Sequence, residues 1–320
     1  MESFNPLVDI WAEIHYNGGF VNSHAHLDRA FTINKNNIEQ INNHLFEKWR
    51  LVDSFKSRAT VEDYYSNISR ALESQKDFGV QAVLSFIDLD PICGTNALEA
   101  ALLARNAFKD IKLMIACQTL KGVLNKQSRR LIENSIHCFD VIGSLPGADA
   151  GKESEHLDMV INWAKETGKP LHVHVDQLNS PHEKETELLA RKVMKHGYEG
   201  RVTAVHSISL ACHPKKYRDE VYKMSRDAGL SFITCPGAWI DHTRSETKTP
   251  THNSITPVDE LLENNLIVGI GTDNIHDLYK PFADGDMRFE TRLLIEALRI
   301  QDKNIIKKIC IDNGKKIIGL

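Results

Sequence analysis

The chain has 320 residues, 42% hydrophobic and 26% charged, which are the proportions of a folded globular protein and exclude disordered, collagen-like and fibrous classes. Its 39 basic and 43 acidic side chains leave a net charge of −4, which offers no basic footprint for nucleic acid or an anionic membrane. No apolar run approaches the ~18–20 residues of a membrane span, and Met1–Ile10 (MESFNPLVDI) has neither the basic nor the apolar region of a secretory signal.

Short apolar, β-branched runs alternate with helix-period segments along the whole chain. In order, Gly19–Ser23 predicts a strand and Val61–Phe78 a helix ended by Gly79. Val80–Leu89 and Ile111–Cys117 are strand-like, Lys126–Cys138 helical, and Val141–Leu145 strand-like. Then follow a helix at Glu153–Thr167 before Gly168, a strand at Pro170–Asp176, a helix at Glu183–His196 before Gly197, and a strand at Arg201–His206. A helix at Pro214–Ala228 before Gly229 leads to the last strands, Leu230–Cys235 and Leu266–Thr272. Between those two, Thr256-Pro257 reads as an N-cap with proline at the first helical position.

The strand runs are apolar throughout, as in strands buried on both faces. Eight of them alternating with helices predict parallel βα units, an α/β fold, and eight is the number that closes a (β/α)8 TIM barrel of ~250 residues. The rival, an open doubly wound sheet, would carry a glycine-rich phosphate turn after its first strand; SHAHLDRAF stands there instead. Residues 1–320 are expected to form a single barrel domain. The six cysteines include no C-x-x-C pair and, with no export signal in view, read as reduced, mostly buried thiols of a cytoplasmic protein.

Several of the fifteen histidines lie inside the apolar runs. His24 and His26 close the first strand, His174 and Asp176 the fifth, His206 the sixth and Asp273 the eighth. Residues i and i+2 of a strand share a face, so His24 and His26 point the same way. The C-terminal strand ends are where barrel enzymes place their chemistry. Neutral imidazoles with a carboxylate suit a divalent transition metal. A lone strand histidine is more often a core residue, and H-x-H alone is a weak pattern; four strand ends carrying His, His, His and Asp are a much stronger one.

These segments resemble the amidohydrolase superfamily, and within it the cytosine deaminase-like branch. The matching stretches are Phe20-Val-Asn-Ser-His24-Ala-His26-Leu-Asp28-Arg29, His174-Val-Asp176-Gln177, Arg201-Val-Thr-Ala-Val-His206-Ser, Asn253 through Leu266, and Gly271-Thr-Asp273-Asn274. The resemblance implies a barrel with one divalent metal (zinc or iron, with manganese a further candidate) held by His24, His26, His174 and Asp273. It implies that His206 hydrogen-bonds the metal-bound water. Binuclear members carry a carboxylated lysine at the end of the fourth strand; DVIGSLPG has none, which favours a single ion.

Three departures stand out. Gln177 occupies the place of the branch's proton-shuttling glutamate, and an amide cannot donate and recover a proton near neutral pH. The glutamine that grips the substrate ring after the third strand falls on Leu120, with Gln118 two residues earlier. The flanking β-sandwich of the family is expected to be absent or vestigial. Arg29 is expected to bind a ring oxygen or the charge formed as water adds, or else to pair with Asp28. Asn274, His276 and Tyr279 are expected to line the pocket beside Gln118 and Gln177, with Trp239, His242 and His252 as a lid and Asp176 as a brace for a ligand.

His206 and Asp273 would then activate water for hydrolysis of a C–N bond (deamination, or amine or amide hydrolysis) in a small nitrogen-heterocyclic substrate. A lactonase- or amidase-type hydrolase on the same scaffold, or a degenerate barrel kept as a binding protein, are the alternatives. A small-molecule substrate is expected, neither nucleic acid nor membrane is, and assembly as a homo-oligomer is left open.

Overall fold

The computed structural model describes residues 4–118, 120–240 and 244–320, with residues 239 and 240 described by their backbone alone. Eight parallel strands follow in chain order: β1 (Phe20–Ala25), β2 (Val80–Asp88), β3 (Lys112–Gln118), β4 (Ile142–Ser144), β5 (Leu171–Val175), β6 (Val202–His206), β7 (Ser231–Thr234) and β8 (Ile267–Ile270). Ladders run continuously through β1–β2–β3 and from β4 to β8. Parallel bridges Ala116↔Val141 and Ala25↔Asp273 join the two seams, so the sheet closes into a barrel.

Alternation explains why the strands show no polar face. Ala82, Leu84 and Phe86 of β2 meet Val21, Ala116, Val205 and Ile233 in one apolar cluster, the barrel interior. Val83 and Ile87, from the other face of the same strand, pack against the surrounding helices. Gly143 lets β4 approach β3: a Cβ there would lie 1.8 Å from the Cys117 carbonyl oxygen. The helix Asn313–Ile318 contributes Ile317 and Ile318 to the interior cluster. His172, two residues deeper than His174, finds its partner at that end, with Nε2 3.0 Å from the Ile317 carbonyl oxygen.

The helices begin and end where their chemistry directs. Thr60 and Asp63 cap the helix Val61–Asp77 reciprocally. Gly168 and Gly197 take left-handed backbone (φ 66° and 62°) after Glu153–Thr167 and Glu185–His196. Two boundaries differ from expectation for local reasons. The fifth-to-sixth connection turns helical only at Glu185, because Glu183 is engaged by the Ser209 hydroxyl (2.6 Å) and the Leu178 N–H (2.7 Å). Thr256 does not cap the helix Val258–Glu263; its hydroxyl donates to the His206 carbonyl oxygen (2.6 Å), and Pro257 is the residue before the helix.

Among the described residues every strand belongs to the barrel, and no second sheet accompanies it. No described helix is long and apolar enough to cross a membrane.

Candidate active site and metal centre

The predicted chemistry collects at the C-terminal ends of the strands. His24 lies in β1 and His26 just beyond it, His174 in β5, His206 at the last position of β6, and Asp273 after β8. The ring centroids of His24 lie 5.0, 4.8 and 5.3 Å from those of His26, His174 and His206. Asp273 Oδ1 is 3.3 Å from Nε2 of both His24 and His26. Ligand atoms of His24, His26 and His174 lie within 4.8 Å of one another, as do those of His24, His206 and Asp273. Phe86 forms the floor, its ring 4.7 Å from those of His24 and His174.

Backbone strain supports the convergence. His206 (φ 75°) and Asp273 (φ 60°) both adopt left-handed conformations, each costing about 1–3 kcal/mol for a non-glycine residue. Ladder bonds and buried contacts hold them: Asp273 N–H donates to the His24 carbonyl oxygen (3.0 Å), and the His206 carbonyl takes the Thr256 hydroxyl. Gly271 makes room for this packing, since a Cβ there would meet the His24 carbonyl oxygen at 2.6 Å.

The donor set fits a divalent metal ion. Burial disfavours imidazolium, pushing His24 and His206 down to about 4 and lowering His26 and His174 as well, so all four rings are neutral at neutral pH. Burial opposes charge on Asp273 too, but hydrogen bonding from His24 and His26 holds its carboxyl well below the usual range. His174 Nδ1 donates to the Ser144 carbonyl oxygen (3.1 Å), which places its lone pair on Nε2. That Nε2 and the Nδ1 atoms of His24, His26 and His206 are buried without a hydrogen-bond partner. Leaving such groups unpaired costs ~1–3 kcal/mol each unless something else satisfies them. Neutral imidazoles with ligand atoms within 4.8 Å of one another, beside an ionised carboxylate, are what zinc or iron requires.

The same burial predicts a pH dependence of stability. The unfolded chain protonates its histidines near 6.5, whereas folded His24 and His206 resist protonation until about 4. At these two sites the unfolded state therefore binds more protons in this window, so their contribution to stability falls as pH drops from about 6.5 toward 4. Urea denaturation of metal-free wild type and of metal-free His206→Asn should show wild type losing more stability across that range; parallel profiles would mean that His206 is not buried neutral.

A cleft opens above the cluster. Arg29, Gln118, Gln177, Asn274 and Tyr279 all line it. Arg29 pairs with Asp88 rather than Asp28, its Nη1 lying 3.5 Å from both carboxylate oxygens. Asp28 is occupied by backbone, accepting the N–H groups of Arg29 (3.0 Å) and Asp88 (2.9 Å). The guanidinium sits over the Tyr279 ring at 5.3 Å, and its Nε is buried without a partner, as is Gln118 Oε1.

Other expected residues are placed elsewhere. His276 is not in the cleft lining: its ring lies against Phe31 (5.7 Å), with Nδ1 3.0 Å from the Pro281 carbonyl oxygen. Asp176 braces no ligand, because its oxygens accept the N–H groups of Glu185 (2.7 Å) and Thr186 (3.1 Å) at the next helix. His252 is exposed, and the suggested His242 lies outside the described residues. Cys235 is a buried thiol that burial pushes well above its ordinary pKa, so it is no nucleophile.

Leu45, Trp49 and Lys280 are among the lining groups that went unforeseen. Leu45 and Trp49 come from the helix Leu45–Leu51 in the connection after β1. The length of that connection, from His26 to the helix at Val61, was the available signal, since barrel sites are built from such loops. Lys280 is buried in the lining, with Nζ donating to the Thr272 carbonyl oxygen (2.7 Å) and Glu290 (3.2 Å). Nothing in its local sequence separates it from a surface lysine.

A closed eight-stranded barrel with buried histidines and an aspartate at its C-terminal mouth has the donor set of a metal-dependent hydrolase barrel. Residues 38–305 match the sequence profile of the amidohydrolase family, and the chain belongs to that family. It is 44% identical over 255 residues to an uncharacterized protein of Haemophilus influenzae, covering 78% of this chain and 92% of that one. It is 27% identical over 314 residues to N-isopropylammelide isopropyl amidohydrolase of a Pseudomonas species, covering 94% and 74% of the two chains. The fold is similar to that of 5-methylcytosine deaminase from Klebsiella pneumoniae liganded with 5-fluorocytosine, with a TM-score of 0.86, 23% identity, and coverage of 94% and 75%.

Proposed function

We propose that the chain hydrolyses a C–N bond in a small nitrogen-heterocyclic substrate, releasing ammonia or an alkylamine. The observation that carries this reading is the convergence of unpartnered neutral histidine nitrogens and an ionised aspartate at the base of the cleft. The names of the Pseudomonas relative and the Klebsiella structure, an amidohydrolase and a deaminase, support it.

His24, His26, His174 and Asp273 would hold one divalent ion, zinc or iron. Such an ion supplies a Lewis acid and lowers the pKa of water from about 16 to about 7. His206, neutral and at the cluster's edge, orients the attacking water by hydrogen bonding. Asp273 takes the proton that water loses as its oxygen joins the ring carbon. Arg29 Nε, preorganised by Asp88 and Tyr279, stabilises the negative charge that develops on the substrate. Gln118 Oε1 accepts a ring N–H, and Gln177 hydrogen-bonds the substrate without transferring protons. Protonated Asp273 then gives its proton to the departing nitrogen as the C–N bond breaks, so the amine leaves neutral. Leu45 and Trp49 shield the site from bulk water on the side of the β1 connection.

The test is a screen of zinc-loaded protein on cyclic amides, aminopyrimidines, pterins and alkylaminotriazines, with ammonia and alkylamine detected separately. Amine release that depends on stoichiometric metal is expected. A purified chain that retains no metal and releases no amine, or that yields acid from esters and lactones alone, would overturn the reading.

A further inference from the structure

Ser144, His156 and Asp149 form a buried chain of hydrogen bonds that the proposed reaction does not use. His156, fully buried in the helix Glu153–Thr167, places Nε2 2.8 Å from Ser144 Oγ and Nδ1 2.7 Å from Asp149 Oδ2. A carboxylate only accepts, so Nδ1 carries the proton and Nε2 accepts the Ser144 hydroxyl. The arrangement has the connectivity of a nucleophilic triad, but Ser144 is absent from the cleft lining, so no substrate reaches its hydroxyl. Its consequence lies on the other side of the same residue. The Ser144 carbonyl oxygen accepts from Nδ1 of His174 (3.1 Å), and that bond orients the ring whose Nε2 faces the cluster.

Ser144 is also the last residue of the three-residue strand β4, where its pairing with Val173 of β5 ends. Beyond it the chain leaves into the turn Pro146–Asp149, so the ladder alone pins this peptide from one side. The side-chain bond to His156 supplies the second anchor. Asp149 extends the anchor to the connection after β3, accepting the N–H groups of Val123 (2.8 Å) and Leu124 (3.2 Å).

We propose that Ser144 and His156 are positioning residues for the metal: by fixing the Ser144 peptide they hold His174 in the orientation that binds the ion. This inference rests on the metal centre proposed above. Outer partners of metal-bound histidines typically change affinity by about 10–100-fold when removed.

Two isosteric halves of the imidazole separate positioning from packing. His156→Asn retains a group at the Nδ1 position, facing Asp149, and loses the contact to Ser144. His156→Gln retains a group at the Nε2 position, facing Ser144, and loses the contact to Asp149. Zinc affinity is measured by competition with a chromophoric chelator, and thermal midpoints are taken on the metal-free proteins. Affinity is expected to fall about 10–100-fold in His156→Asn and in the milder Ser144→Ala, and to stay near wild type in His156→Gln, although both His156 variants lose comparable stability. Equal affinities in His156→Asn and His156→Gln, or wild-type affinity in Ser144→Ala, would overturn the positioning role and leave the metal centre standing. A wild-type chain that binds no zinc would overturn both.

Discussion

Asp273→Ala is expected to abolish both metal retention and turnover, whereas His206→Asn should lose turnover and keep the metal. Asp273 Oδ1 lies 3.3 Å from two of the histidines that would share the ion with it, and it is the group assigned to receive and return the proton. Removing it therefore withdraws one ligand and the proton carrier together. General acid–base groups alone contribute about 10²–10⁴ in rate, so the combined loss in kcat/KM should exceed ~10⁴-fold. His206 is buried beside the cluster but enters the proposed coordination only through water, so its loss should cost about 10²–10⁴-fold in kcat. Metal content per chain and amine release, measured on the same preparations, separate the two roles. A His206→Asn protein with wild-type turnover would remove His206 from the mechanism. Stoichiometric metal in Asp273→Ala would reassign the fourth ligand. Residues that act as a unit do not add, so a double variant should be little worse than Asp273→Ala.

The barrel was legible because its signal is distributed. Eight apolar runs and their glycine-ended helices each say little, but together they supply the eight units that close a barrel, and the phosphate turn of the rival open sheet is missing. The convergence of His24, His26, His174, His206 and Asp273 was legible for the same reason, since strand ends converge in a closed barrel whatever the loops do. Less visible was everything that depends on a side chain's reach. Arg29 stands next to Asp28 in sequence, yet backbone N–H groups occupy that carboxylate and the guanidinium turns to Asp88, 59 residues away. His276 and Tyr279 share one loop and looked alike; the Pro281 carbonyl and Phe31 hold His276 away while Tyr279 stacks beneath Arg29. Asp176, two residues from His174, was taken by the next helix because that helix start offered unpaired N–H groups. The cover from Leu45 and Trp49 left only a segment length to read, because no local pattern says which way a loop folds.

Lys56→Met is expected to destabilise the protein by about 3–5 kcal/mol, the cost of breaking a buried ion pair from one side. Lys56 ends a short helix after β1, is 1% exposed, and contacts Asp88 (3.0 Å) and Asp90. Burial alone would strip its proton, but the two aspartates hold it charged. Burial likewise opposes ionised Asp88, which Arg29 and Lys56 together keep below the usual carboxylate range. Methionine fills nearly the same space without the charge, so packing is retained and two buried carboxylates are left, with Arg29 still beside Asp88. Urea unfolding at neutral pH should show the full deficit. At lower pH the variant can neutralise Asp88 by taking up a proton in the folded state, which wild type resists because Arg29 and Lys56 hold that carboxyl low. The difference from wild type should therefore shrink as pH falls from 7 toward 4. A pH-independent deficit would point to lost packing instead, and no deficit would mean that water already screens the pair. The consequence reaches the cleft, because an Asp88 without Lys56 draws Arg29 more tightly to itself. The group assigned to stabilise developing negative charge would then be pulled from the substrate, and kcat should fall in a protein that still folds and still retains its metal.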